Sequence, residues 1–130
     1  MIKVSKTERQ KREHFRQYHR EYAKRNEKKI KIFQKEYRRE LRLEVLSHYS
    51  DKSMDFLHCA CCKELHLIFL TIDHINNDGA EQRRKLKLKS GFAFYLWLKQ
   101  NNYPEGYQVL CHNCNYAKSH GGCPHKKETT

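Results

Sequence analysis

Residues 67–74 read L-I-F-L-T-I-D-H, and residues 107–118 read Y-Q-V-L-C-H-N-C-N-Y-A-K. The apolar run 67–72 is expected to form a strand, and it ends on an acidic-histidine pair, Asp73-His74. Residues 107–110 form a second expected strand. It leads directly into Cys111-x-x-Cys114 and then into a short helix at 115–120, which Gly121-Gly122 ends. Strands and helices in this order define an α+β fold class.

Outward from these stretches, a polar turn Asn76-Asn77-Asp78-Gly79 follows the first strand, and then comes a basic stretch at 81–89. Residues 92–100 have the pattern of a short amphipathic helix, stopped by Asn101-Asn102-Tyr103-Pro104. Tyr95, Leu96, Trp97 and Leu98 belong to the core of that reading. Upstream, from Met1 to Asp78, there is neither Gly nor Pro. Residues 6–47 are dominated by Arg, Lys, Glu and Gln, which are good helix formers. Large side chains recur at Phe15, Tyr18 and Tyr22, then at Ile30, Phe33, Tyr37, Leu41 and Val45, in steps that trace one helical stripe. Asn26 falls where an apolar residue would continue the stripe, so a break or kink is expected there. A helix of about 40 residues would be roughly 60 Å long, too long and too polar to pack along its whole length. The expected organisation is a basic helical arm at 1–47, a compact domain at 48–125 and a frayed tail at 126–130.

The chain carries 27 Lys+Arg against 15 Asp+Glu, a formal charge of +12. Residues 1–47 hold sixteen basic and seven acidic residues, a balance of +9. A polyanion, and DNA first among them, is therefore the expected partner. No stretch approaches the roughly 20 apolar residues that span a membrane, so no membrane partner is expected. The opening M-I-K-V-S-K-T-E-R-Q-K-R has no apolar core and does not read as a secretory signal. A reducing cytoplasm is the expected location, where six cysteines argue for metal rather than disulfides.

Cys59-Ala60-Cys61-Cys62 contains one C-x2-C pair, and Cys111-His112-Asn113-Cys114 is another. Two such pairs can each clamp one side of a tetrahedral zinc. Four thiolates from Cys59, Cys62, Cys111 and Cys114 leave no open coordination position, so this zinc is expected to be structural. It supplies stability that a chain this short cannot draw from apolar burial alone. Cys61 and Cys123 are left over. Cys61 can stand in for a neighbour, and Cys123 can join His112, His120 or His125 around a weakly held metal. The plainer reading of both is a small buried hydrophobe.

Asp73-His74 at a strand end, followed by Cys111-x-x-Cys114-Asn115-x-x-Lys118 at a strand-to-helix junction, resembles the HNH endonuclease family. The matching text is C-A-C-C-K-E, then L-T-I-D-H-I-N-N-D-G, then Y-P-E-G-Y-Q-V-L-C-H-N-C-N-Y-A-K, within about residues 57–125. The arm is similar, more weakly, to those of small phage and mobile-intron members. The resemblance implies a β-hairpin and a helix closed around one divalent ion, in a bacterial or phage-infected cell. It implies that Asp73 and Asn115 bind that ion, Mg²⁺ or Mn²⁺, since oxygen donors suit these metals. It implies that His74 is the general base activating water. Lys118, one turn after Asn115, would face the same phosphate. His120 is in the place where some members carry a further metal ligand. One departure is visible: residues 107–110 contain no Asn where the family's central Asn sits. Asn101, Asn102, Asn113, Asn76 and Asn77 are the candidates for its role.

For DNA contacts the arm offers Arg16, Arg20, Lys24, Arg25, Lys28, Lys31, Lys35 and Arg38, and the basic stretch offers Arg83, Arg84 and Lys85. Contacts of this kind give salt-dependent affinity with little reading of sequence. A solvated helix that packs on a second copy of the chain, making a homodimer, is the other use of such an arm. The rival to nuclease function is a non-catalytic zinc-ribbon protein binding DNA or RNA. The cysteine clip and the charge fit it equally; Asp73, His74 and Asn115 have no work in it.

Overall fold

A computed structural model describes residues 7–125; residues 1–6, where the expected arm begins, and the tail at 126–130 lie outside them. The chain divides into two compact units, residues 1–37 and 38–130.

The first unit is helical. Helix α1 (Glu8–Arg25) starts at Thr7, whose hydroxyl accepts from the Gln10 N–H while the Gln10 side chain accepts from the Thr7 N–H. This reciprocal capping satisfies donors that the first turn leaves free. Helix α2 (Glu27–Tyr49) follows at once. Asn26 separates the two, with its backbone N–H and its side-chain amide both donating to the Tyr22 carbonyl. A side chain that bonds the preceding turn competes with the helical ladder, which accounts for the break. Helix α1 buries no residue, and Phe15, Tyr18, Tyr22 and Phe33 are exposed.

The second unit is the mixed helix-and-strand part. Leu41, Val45 and Leu46, near the end of α2, are in its core, so the stretch expected as arm already packs there. Strand β1 (Leu70–His74) pairs antiparallel with β2 (Tyr107–Cys111) in a two-stranded sheet. Leu70 faces Cys111, Ile72 faces Val109, Asp73 faces Gln108 and His74 faces Tyr107. The strand expected at 67–72 therefore begins later and runs on through the Asp-His pair. Its first three residues form a 3₁₀ turn, Leu67–Phe69. The Phe69 N–H bonds to the His66 carbonyl, and the Arg42 guanidinium donates to the Leu67 and Leu70 carbonyls, so this segment's acceptors are met outside a ladder.

Between the strands lie α3 (Gly79–Leu86) and α4 (Gly91–Gln100). The basic stretch is thus largely helical. Glu81 and Lys85 pair at 2.8 Å along it, and it ends at Lys87 in the left-handed region. Ser90 caps α4 by accepting from the Ala93 N–H. Leu98 is fully buried, and the Tyr95 hydroxyl accepts from the Ile72 N–H on β1. Helix α5 (His112–Ser119) begins directly after β2, three residues earlier than the expected start at 115, because the Cys111 sulfur caps it. The core joins Leu41, Val45 and Leu46 to Leu70, Ile72, Leu98, Val109 and the cysteines at the base of the hairpin. No helix among the described residues is long and apolar enough to cross a membrane.

Candidate metal centre and strand-end site

The four cysteines of the two C-x2-C pairs converge. The sulfurs of Cys59, Cys62, Cys111 and Cys114 all lie within 4.8 Å of one another, in a group that can hold a metal ion such as zinc. Local backbone geometry makes this convergence. The Lys63 N–H closes a turn onto the Cys59 carbonyl, with Lys63 at φ 66°, and the Ala60 N–H bonds to Val109 of β2. The turn is thereby fixed to the strand that ends in Cys111. Cys111 then caps α5, its sulfur accepting from the Cys114 N–H at 3.5 Å. Burial raises the Cys59 thiol, but the Cys62, Cys111 and Cys61 backbone groups bonded to it outweigh that, and the net shift is downward. Burial pushes Cys114 far up, and the surrounding thiols of Cys111, Cys123, Cys62 and Cys61 push it further. So many adjacent thiols cannot all ionise together without a cation among them, and a bound divalent ion supplies that charge.

A second group shares Cys114. The donor atoms of Cys61, Cys114, Cys123 and His125 also lie within 4.8 Å of one another. Neither Cys61 nor Cys123 is therefore an isolated buried hydrophobe. Among the described residues, His112 and His120 belong to no metal-holding group. The His120 ring stacks on Tyr116 at 4.0 Å, and its Nδ1 is 2.8 Å from the Tyr116 carbonyl.

The strand-end site is built on the hairpin. Asp73 is 5% exposed. Its Oδ2 accepts from Gln108, its cross-strand neighbour, at 2.8 Å and from the Lys118 ammonium at 2.7 Å. Lys118 also donates to the His74 carbonyl at 2.6 Å. The residue expected to face a phosphate is thus held on Asp73, and the junction from β2 into α5 puts it there. Asn115 is half-buried on the first turn of α5, and no side-chain hydrogen bond joins it to Asp73 among the described residues.

His74 is held from three sides. Its Nε2 is 2.6 Å from Gln82 Oε1, and the Gln82 amide donates to the Tyr107 hydroxyl. Its ring stacks on Phe94 at 5.2 Å and meets Tyr107 edge-on at 5.0 Å. An acceptor at Nε2 places the proton on that nitrogen and leaves the Nδ1 lone pair free. At Nδ1 stands Gly79, where a Cβ would come within 2.9 Å of that atom. A small cavity of about 20 Å³ adjoins the ring, lined by His74, Gly79, Gln82, Arg83, Leu88 and Phe94. The prop for the His74 ring is thus Gln82 on α3; among the described residues none of the asparagines considered for that role bonds the ring, although the Asn77 N–H donates to the His74 carbonyl at 3.0 Å. The only sequence signal for Gln82 is its place one helical turn after Asp78-Gly79.

All eleven basic residues named for DNA are exposed. Arg16 and Arg20 flank Glu13, Lys31 pairs with Glu27 and Lys85 pairs with Glu81. Lys24, Arg25, Lys28, Lys35, Arg83 and Arg84 make no ion pair among the described residues. Arg38 lies over the Phe92 ring at 5.2 Å, a packing role within the second unit. Compared with known proteins, the chain matches no family model, no curated protein and no solved structure.

Proposed function

We propose that the protein is an HNH-type, metal-dependent DNA endonuclease with a zinc-stapled ββα centre. The single observation that carries this reading is the meeting of Asp73 and His74, at the end of β1, with Lys118 of α5 across the hairpin. A module built only to bind nucleic acid has no use for an acidic-histidine pair whose histidine is oriented at one nitrogen and left open at the other.

Two protein oxygens are suited to the catalytic divalent ion. Asp73 uses Oδ2 for Gln108 and Lys118, and its Oδ1 has no hydrogen bond among the described residues. Asn115 offers an amide oxygen. Such a donor set suits Mg²⁺ or Mn²⁺ rather than zinc. When bound, the ion would neutralise charge on the scissile phosphate and the departing oxygen. The chain's own residues do the rest. His74 accepts a proton from water at Nδ1, in the space that Gly79 leaves open. Gln82 holds the imidazole in the required tautomer. Lys118 offsets the Asp73 charge, and Arg83, beside the His74 cavity, is placed to bind phosphate. The exposed cations of the arm hold the DNA backbone.

The test is incubation of supercoiled plasmid with the full chain and Mg²⁺ or Mn²⁺, with and without chelator. Relaxed or linear product that disappears with chelator is expected. Plasmid left unchanged under every metal, by protein that still binds DNA, would establish the non-catalytic zinc-module reading instead.

A further inference from the structure

The two donor groups overlap in one residue, and together they use every cysteine of the chain. We propose that the protein carries a dinuclear zinc-thiolate cluster in which Cys114 bridges the two ions: Cys59, Cys62 and Cys111 complete one tetrahedron, and Cys61, Cys123 and His125 complete the other. This inference stands apart from the nuclease reading, since it needs no catalytic residue.

The donor arithmetic closes. Two tetrahedra that share one corner require seven donors, and the six cysteines with His125 make seven. The spacings fit as well. Zinc with Zn–S near 2.3 Å sets donors roughly 3.8 Å apart along a tetrahedral edge. Cys61 and Cys123 are 3.4 Å apart, and Cys62 and Cys111 are 3.6 Å apart. The His125 Nδ1 is 3.3 Å from both Cys114 and Cys123. The Cys114 sulfur lies within 4.8 Å of the Cys59, Cys62 and Cys111 sulfurs of one group and of the Cys61 and Cys123 sulfurs of the other.

The backbone beyond α5 is shaped to deliver the outer ligands. The Gly122 N–H returns to the Ala117 carbonyl at 2.9 Å, closing the helix end. Gly121 and Gly122 then take φ of 104° and 111°, a region that favours glycine. The reversal carries Cys123 and His125 back to Cys114 instead of away from it. A cavity of about 150 Å³ lies beside the outer group, lined in part by Cys61, Cys123 and Lys118.

The experiment is metal analysis of the full chain after zinc loading and desalting, followed by cadmium exchange with a spin-active isotope for NMR. The expected results are two zinc ions per chain and two cadmium resonances that couple to each other through the Cys114 sulfur. The double variant Cys123→Ser/His125→Ala, which leaves the inner four cysteines untouched, should hold one zinc and keep its circular dichroism. One zinc in the wild-type chain overturns the proposal. Two uncoupled cadmium resonances, or two zinc ions retained by the double variant, would overturn the bridge and the outer ligand set respectively.

Discussion

Lys118, on the last helix, places its ammonium 2.7 Å from the buried carboxylate of Asp73 on the first strand, linking α5 to the hairpin at the point where His74 leaves the sheet. Both side chains are largely shielded from water, at 19% and 6% exposure, so neither charge can be removed without stranding the other.

Lys118→Met should therefore destabilise the folded chain by about 3 kcal/mol, the order expected when a buried ion pair loses one partner. Chemical denaturation reads this directly. In the background of Asp73→Asn the same substitution should cost much less, because no carboxylate is left unpaired. Equal losses in both backgrounds would show that the pair is not coupled.

Gly79→Ala should reduce cleavage by about tenfold or more while zinc content and DNA binding stay unchanged. The new Cβ would sit 2.9 Å from His74 Nδ1, the atom proposed to take the proton. The His74 ring has little room to yield between Phe94 and Tyr107. Normal plasmid cleavage by this variant would remove the assignment of Nδ1 as the basic nitrogen.

Gln82→Met removes the acceptor at His74 Nε2 and keeps the side-chain volume. Loss of tautomer control should lower the turnover number by about tenfold or more with little change in DNA affinity. A variant in which only affinity falls would make Gln82 a DNA contact rather than a prop.

Some of this is legible in the chain and some is not, for identifiable reasons. The inner cysteine set follows from local spacing, since each C-x2-C turn brings its own two sulfurs together and β2 joins the turns. Asp73 and His74 stand out for the same local reason. The start of β1 is misplaced in the sequence because residues 67–69 are apolar enough for a strand, while Arg42, far away along the chain, takes the Leu67 and Leu70 carbonyls. Helix α3 is hidden because Gln82, Arg83, Arg84 and Lys85 are polar or charged throughout and show no apolar period. Gln82 and the Lys118–Asp73 pair depend on strand register and on which helix face turns inward, and neither is written in any short stretch. The outer metal group needs the reversal at Gly121-Gly122, which as sequence reads only as a helix stop.

The arm makes a prediction of its own. Replacing Lys24, Arg25, Lys28 and Lys35 together by Gln removes exposed cations that carry no ion pair among the described residues. DNA affinity should fall and become less sensitive to salt, the log–log slope dropping by about 0.9 for each phosphate that is no longer neutralised. A slope that does not change would take DNA binding away from these four residues. Zinc content should stay the same, because none of the metal donors lies in the arm.

The strand-end histidine is proposed to activate water for cleavage of DNA, and one measurement tests this most directly. His74→Ala is purified as the full chain, checked for unchanged zinc, fold and DNA binding, and assayed on supercoiled plasmid beside the wild type with Mg²⁺ or Mn²⁺. The expected result is wild-type cleavage that is lost by about 10²–10⁴-fold in the variant, the range for removal of a general base. Cleavage by His74→Ala at the wild-type rate would contradict the account.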